Sequence, residues 1–265
     1  MSEQALAFSH AVQQRRLSDL LPQPGDEGPD VFLADRDAVE AAVAGGADPL
    51  LYRAWRGVLP PRGTPPMPGG GRAGDGTSEG LAWAADLVVY QDGTLPGGEP
   101  FRSTGHWNPD GQVEVFQVLS GRVLIVAGST GAAGRLRLQY QECVPGDVAV
   151  IPPAAWHLTY VLNGPAMVFN IYANQGQSGV LAGPGLAKYR SGRGPVPVAV
   201  VRLDSSFAFT WGTRERVPLT EPTAATRPEW LGSFLRPGAS LADWCAHAPD
   251  AELLALAGAA AGPRQ

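Results

Sequence analysis

Two histidines and one glutamate are the residues of this 265-residue chain best placed to do chemistry. His106 precedes Asn108 by two positions, five residues separate Asn108 from Glu114, and His157 follows further along the chain. Side chains two apart on a strand point to the same face, so His106 and Asn108 would share one. Imidazole nitrogens and a carboxylate oxygen form a ligand set that suits Fe, Mn, Ni or Zn. We therefore predict one divalent metal ion held by His106, Glu114 and His157, since three protein ligands suffice for a catalytic site.

Asn108 is a weaker donor than these three residues. Its amide oxygen is neutral and better matched to Ca or Mg than to borderline metals. We expect Asn108 to face the same cavity as a substrate-binding residue without being a strong ligand. Glu114 would be costly inside an apolar barrel without a metal or a cationic partner, which favours a functional role for it.

Short strands at regular spacing must position these side chains. The predicted strands are 82–90, 112–119, 122–128, 134–141, 147–152, 157–162, 166–173 and 196–203. The segment 135–140 alternates polar and apolar residues, as a half-buried strand does, and Gly121 and Gly146 fall at predicted hairpin corners. The pattern predicts an all-β fold, an antiparallel jelly-roll barrel with short flanking helices.

The flanks of this barrel have a different composition. Residues 1–80 are expected to form an N-terminal segment packed on the barrel, with a flexible Pro- and Gly-rich loop over 59–80. The barrel itself is placed at 81–204. Residues 205–265 are read as a C-terminal extension that ends in a short helical pair. Helix starts are indicated at Asp37, Ser240 and Pro249.

Composition excludes several classes of partner. Charged residues make up 17% of the chain, and the net charge is −5 with a pI near 5.4, which argues against nucleic acid and anionic membrane. Cys143 and Cys245 are far apart and form no CxxC motif, so a reducing cytoplasm is the expected setting. No apolar signal core is evident over 1–21.

Taken in order, these blocks resemble the two halves of the cupin metal-site pattern, and specifically the cupin-type glucose-6-phosphate isomerases. The resemblance covers about residues 12–204. It is carried by Arg15–Asp19, Asp48–Tyr52, Ser103–His106, Glu114–Gly121, Pro152–His157 and Ile171–Tyr172.

The resemblance implies a cupin double-stranded β-helix, a homodimer, and a metal-assisted enediol mechanism on a phosphorylated sugar. Glu114 and His157 would be catalytic as well as metal ligands. Asn108 stands where the family has a ligand histidine, and Phe116 stands where it usually has tyrosine. The implied substrate-binding residues are Tyr52, Ser103, Gly105, Asn108, Phe116 and Tyr172.

Two alternatives stay open beside a sugar-phosphate aldose–ketose isomerase. The first is a cupin enzyme adapted to a different small anionic or carbonyl substrate in specialised metabolism, which the departures at Asn108 and Phe116 favour. The second is a non-catalytic protein that binds a sugar phosphate. In each case the expected partner is a small molecule.

Overall fold

The computed structural model describes residues 12–22, 31–59, 81–108, 112–130, 136–175, 198–203, 206–211 and 223–261. Of the predicted loop over 59–80, only residue 59 falls within these ranges, and the predicted boundary at 204–205 falls outside them.

Strands dominate the described chain, as the all-β prediction requires. The strands are β1 Val12–Arg16, β2 Leu50–Arg56, β3 Leu81–Tyr90, β4 His106–Trp107, β5 Val113–Thr130, β6 Leu136–Cys143, β7 Val148–Ile151, β8 Trp156–Gln175, β9 Val198–Leu203, β10 Ser206–Trp211 and β11 Thr223–Ala224. The helices are α1 Arg36–Ala44, α2 Leu241–His247 and α3 Asp250–Ala261, with 3-10 turns at Leu17–Leu20 and Glu229–Ser233.

Nine strands form one sheet in the order β1-β2-β3-β8-β5-β6-β11, with β4 paired to β8 and β7 paired to β5. All these pairings are antiparallel except that of β11 with β6. The strands β9 and β10 form a separate antiparallel pair. The N-terminal segment is therefore hydrogen-bonded into the barrel sheet through β1 and β2.

The pair β5 and β8 forms a single long ribbon, which corrects the prediction of a hairpin corner at Gly121. Gly121 lies inside β5 at a φ of 75°, where the pairing with β8 shifts register. A Cβ at Gly121 would lie 2.7 Å from the Cα of Ala166, so the close crossing excludes a side chain. The predicted strands on either side of this glycine are the two halves of β5. Likewise, the predicted strands 157–162 and 166–173 are halves of β8.

The two faces of the sheet have separate cores. The inner face buries side chains such as Tyr52, Phe116, Ile125 and Cys143. The outer face of β3, β8, β5 and β7 is covered by the C-terminal extension, whose side chains Leu231, Leu235, Leu241, Cys245, Leu253 and Leu256 pack against Trp83, Val115, Phe169 and Ile171. The pair β9–β10 contributes to a third cluster with Trp107, Trp156 and Tyr160.

The extension is fastened to the sheet by Gln117. The Gln117 amide donates to the carbonyl of Ala239 at 2.8 Å and accepts from the N–H of Leu241 at 2.8 Å. Ser240 caps α2, as predicted, by accepting from the N–H of Asp243. At α1 the cap is Asp35 and not the predicted Asp37, because the carboxylate of Asp35 accepts from the N–H of Ala38.

No helix in the described ranges combines the length and the apolar character that a membrane crossing requires. Both cysteines are buried, and neither forms a disulfide bond within the described residues.

Candidate metal centre

Three strands bring the predicted ligands together. His106 of β4 lies opposite His157 of β8, so the two side chains share a face. Glu114 is the second residue of β5, whereas the residue of β5 opposite His157 is Ala127. Thirteen positions of a straight strand would span about 43 Å, so Glu114 reaches His157 only because the ribbon folds over at Gly121.

The donor atoms fit one small metal ion. Nε2 of His157 is 2.8 Å from Oε2 of Glu114, and Nε2 of His106 is 4.0 Å from the same oxygen. Ligand atoms that lie about 2.0–2.2 Å from an ion are separated by at most about 4.4 Å, so both distances are compatible with shared coordination. Donor atoms of all three residues lie within 4.8 Å of one another. A set of two imidazoles and one carboxylate leaves coordination positions open for a substrate.

Glu114 is fully buried, and its two oxygens have different neighbours. Oε2 faces His157, while Oε1 accepts a hydrogen bond from Nε2 of Gln112 at 3.1 Å. A buried carboxylate is stable only when it is paired. A cation next to Oε2 would offset the charge of Glu114, which is the chemical argument that this cluster fits a metal.

Asn108 lies beside the cluster and contacts it through Gln112. The same Nε2 of Gln112 donates to Oδ1 of Asn108 at 3.0 Å, and the backbone N–H of Asn108 donates to the carbonyl of Ala155 at 2.8 Å. Both Asn108 and Gln112 are buried. Because Oδ1 of Asn108 is occupied by Gln112, the structure supports its assignment as a pocket residue and not as a strong ligand.

Gln112 is the site residue that the sequence did not reveal. It lies in the gap of five residues between Asn108 and Glu114, where the resembled cupin pattern has three or four. The length of this gap was the only hint in the sequence, because an extra residue next to a metal ligand brings an additional side chain close to the site. Glutamine is common in exposed loops, so its type alone would not have identified it.

Phe116 closes one side of the cluster. Its ring centroid lies 5.5 Å from that of His157 in an edge-on arrangement, and the ring is buried. The rings of His106 and His157 meet edge to face at 4.3 Å. Phe116 therefore supplies an apolar wall beside a ligand imidazole, and it offers no hydroxyl to a substrate.

The two tyrosines that were predicted to bind substrate lie at different levels of the sheet. Tyr52 lies opposite Tyr90 of β3, while Tyr172 lies opposite Ala84 of the same strand. Six positions of β3 separate these two rows, about 20 Å along the strand. Tyr172 is the residue of β8 opposite Glu114 and so belongs to the metal end of the barrel.

Ser103 and Tyr52 have partners within the protein. Oγ of Ser103 accepts from the N–H of Thr159 at 3.0 Å, and the Ser103 N–H donates to the Thr159 carbonyl at 2.9 Å. The hydroxyl of Tyr52 lies 3.4 Å from Oγ1 of Thr104. Gly105 has a φ of 74° and packs against β8, where a Cβ would lie 3.2 Å from that of Leu158. These contacts tie the segment before β4 to β8 and thereby position His106.

A small uncharged cavity of about 40 Å³ lies between β5, β6 and β7, on strands that also carry or pair with the cluster residues. Ala127 and Ile151 line it, and they lie opposite His157 and Glu114 respectively. Ala155, whose carbonyl accepts from Asn108, lines it as well. None of the described lining residues is charged, and the polar ones include Gln139 and Gln141. This volume is far below that of a drug-sized ligand site, so the cavity has room only for a small substrate group.

No protein-family model matches the chain, and no curated protein matches it. Solved structures that match part of the chain include the cupin domain of Schizosaccharomyces pombe Cnp3, at 10% identity and a TM-score of 0.29, over 47% of this chain and 64% of that one. The oxalate decarboxylase formate complex of Lactobacillus farciminis matches at 22% identity and a TM-score of 0.28, over 35% of this chain and 24% of that one. KdgF from Halomonas matches at 17% identity and a TM-score of 0.25, over 37% of this chain and 84% of that one.

This chain spans less than two thirds of the length of several matched proteins. They are the Cnp3 cupin domain, Peruvianin-I and an oxalate oxidase. Such likenesses concern the fold alone. The antiparallel sheet and its folded ribbon confirm the prediction of an all-β fold. The matches carry no information about a phosphorylated sugar.

Proposed function

We propose that this chain is a metal-dependent cupin enzyme that isomerises a small hydroxy-carbonyl compound. The observation that carries the proposal is the convergence of His106, Glu114 and His157, whose donor atoms lie within 4.8 Å of one another inside the barrel. Nothing in an apolar interior favours such a cluster unless it binds a cation or moves a proton.

The residues of this chain have distinct roles in such a reaction. His106 and His157 would hold the metal together with Glu114, and the metal would act as a Lewis acid that stabilises negative charge developing on substrate oxygens. Glu114 accepts the proton from the carbon bearing the hydroxyl and returns it to the neighbouring carbonyl carbon. The hydroxyl proton passes to the other oxygen, so no atom is gained or lost. Gln112 keeps Glu114 in place by its hydrogen bond to Oε1.

The finer proposal is an aldose–ketose isomerase of the glucose-6-phosphate isomerase type. Its support is the sequence resemblance, together with the placement of Tyr172 opposite Glu114 at the metal end of the barrel. In this proposal Tyr172 contacts the sugar beside the metal, while Tyr52 and Ser103 act at a distance from it.

A second candidate is the same chemistry on a different, uncharged carbonyl substrate. The neutral cavity next to His157 and Glu114 favours it, because a phosphate gains most from cationic side chains and none lines that cavity among the described residues. Phe116 favours it too, since its ring presents an apolar wall beside His157.

Metal analysis of the purified protein tests the shared core of both candidates. We expect about one equivalent of Mn, Fe, Ni or Zn by inductively coupled plasma mass spectrometry, and a loss of most of it in His106→Ala and His157→Ala. His247→Ala is the matched control, because His247 is exposed on α2 and remote from the cluster. Absence of metal from the wild-type protein after growth and reconstitution with each ion would contradict the proposal.

Thermal stabilisation by ligands separates the two candidates. If a phosphate site exists, glucose 6-phosphate should raise the melting temperature more than glucose does, and Tyr52→Phe should reduce the difference. In parallel, the rate of isomerisation is measured for glucose 6-phosphate and for glyceraldehyde, an unphosphorylated hydroxy-carbonyl compound. Equal shifts with glucose and glucose 6-phosphate, with turnover of glyceraldehyde alone, would select the second candidate.

A further inference from the structure

Two buried amide atoms beside the metal cluster have no hydrogen-bond partner among the described residues. They are Nδ2 of Asn108 and Oε1 of Gln112. The side chains belong to residues that are 2% and 0% exposed, respectively. Buried polar atoms in proteins are nearly always paired, so two unpaired atoms on neighbouring side chains indicate a missing ligand.

The orientation of both amides follows from Glu114. An ionised carboxylate can only accept, so Gln112 must present its NH₂ group to Oε1 of Glu114. The second N–H of that group donates to Asn108, which must therefore present its oxygen. The remaining atoms are a donor on Asn108 and an acceptor on Gln112. Because they flank one shared hydrogen bond, a single small group can reach both.

We propose that Asn108 and Gln112 form a substrate subsite for an uncharged hydroxyl group next to the reacting carbon. A hydroxyl accepts from Nδ2 of Asn108 and donates to Oε1 of Gln112, which satisfies both atoms. A carboxylate or phosphate oxygen has no proton to give, so it would leave Oε1 of Gln112 unpaired and repel it. This inference rests on the proposed function, since it locates the hydroxyl beside the metal that the cluster would bind.

Isothermal titration of the manganese-loaded protein with glycolate and methoxyacetate tests the subsite. Both probes carry a carboxylate for the metal, and they differ in whether the neighbouring oxygen has a proton. We expect the wild-type protein to bind glycolate about tenfold more tightly, the value of one hydrogen bond in a site without bulk water. Gln112→Met should remove this preference, because the acceptor is gone while the side-chain volume is kept.

Asn108→Leu provides a second and independent measurement. It removes the donor that both probes use, so both should bind about tenfold more weakly while their ratio persists. Asn163→Leu is the control: it removes an exposed asparagine of β8, and both affinities should stay unchanged. Should Gln112→Met fail to retain manganese, the Asn108→Leu result decides.

The outcomes distinguish the two levels of the proposal. A wild-type protein that binds no manganese or other divalent ion overturns the metal centre and the subsite together. Manganese binding with an unchanged glycolate preference in Gln112→Met overturns the subsite alone, because the preference then comes from direct coordination of the hydroxyl. Unchanged affinities in Asn108→Leu have the same meaning.

Discussion

Glu114 is positioned from two sides, by Gln112 at one oxygen and by His157 at the other. The residue types of His106, Glu114 and His157 and their spacing were enough to predict that these three side chains meet. The role of Gln112 could not be predicted, since it depends on how the chain crosses the gap between Asn108 and Glu114. The hydrogen bonds of Gln112 depend on the local backbone conformation between Asn108 and Glu114. The alternation of polar and apolar residues does not determine that conformation.

The prediction for the tyrosines illustrates a different limit. Tyr52 and Tyr172 were both predicted as substrate-binding residues, because the resemblance implies this role for each. The sheet register sets them about 20 Å apart along β3. Register follows from pairing across the whole sheet, so residue types alone do not determine which side chains meet.

Restoring a histidine at the position of Asn108 should strengthen metal binding. In Asn108→His a third imidazole would join His106, His157 and Glu114 as a fourth ligand. One added ligand should lower the dissociation constant for zinc or manganese at least about tenfold, as supporting contacts alone change it by 10–100-fold. The measurement is competition titration against a chromophoric chelator. An affinity equal to or below that of the wild-type protein would show that residue 108 does not face the ion.

Cys143 should make stability sensitive to alkaline pH. Burial inside the barrel, together with the nearby charges of Asp147 and Glu142, raises the pKa of this thiol to about 12 from a usual value of 9.0. The folded state therefore retains a proton that the unfolded state loses, so the stabilisation is complete below pH 9 and declines between pH 9 and 12.

Urea unfolding of the wild-type protein and Cys143→Ala at several pH values measures this effect. Above pH 9 the wild-type protein should lose about 1.4 kcal/mol per pH unit more than the variant does. Between pH 6 and 8 the difference between the two proteins should be constant, which serves as the internal control. Parallel curves from pH 7 to 11 would mean that the thiol ionises equally in both states.

At the scale of elements, the folded ribbon of β5 and β8 is what assembles the site. The sequence allowed each half of β5 and of β8 to be predicted as a strand. It did not show that the halves are continuous, because a glycine between two apolar segments is as typical of a hairpin as of a bend within one strand. The distinction depends on the close crossing of Gly121 over Ala166, a contact between distant parts of the chain.

Gly121→Ala should therefore destabilise the fold more than Gly146→Ala does. Both glycines have positive φ values, 75° and 94°, so an alanine at either costs about 1–2 kcal/mol in backbone strain. At Gly121 the added Cβ would also lie 2.7 Å from backbone atoms of Pro165 and Ala166, whereas at Gly146 nothing lies within 4 Å. Chemical denaturation compares the two variants, and equal losses would show that the crossing relaxes easily. Loss of metal in Gly121→Ala alone would further link the bend to the site.

At the scale of the whole molecule, a buried ionic network joins segments that are distant in sequence. Arg102 donates to Glu99 at 3.0 Å and to the hydroxyl of Tyr160 at 3.1 Å, and Glu99 accepts from the N–H of Ala34 at 2.9 Å. The N–H of Val200 in β9 donates to the same hydroxyl. Burial opposes the charge on Arg102, but attraction to Tyr160 and Glu99 raises its pKa, and burial raises the pKa of Tyr160. The N-terminal segment and β9 are thus fixed to the barrel through one site.

The position of the C-terminal extension limits which surface can contact a second copy of the chain. The extension already covers the outer face of β3, β8, β5 and β7, so a partner has to use another part of the barrel. Among the described strands β1 ends the sheet, and Val12 at its start is 44% exposed. An open edge of this kind offers unpaired backbone groups to another strand. We therefore expect the homodimer, which was predicted from the sequence, to pair through β1.

Sedimentation velocity at micromolar concentration checks this expectation. The wild-type protein should sediment as a dimer, and Val12→Lys should shift it toward the monomer, because two ammonium groups would meet across the paired edges. Leu254→Lys is the control, since Leu254 is 52% exposed on α3 and lies away from that edge. A monomeric wild-type protein would refute the dimer. Dissociation by Leu254→Lys with no effect of Val12→Lys would place the contact on the extension, and the extension would then have a role in assembly beyond covering the sheet.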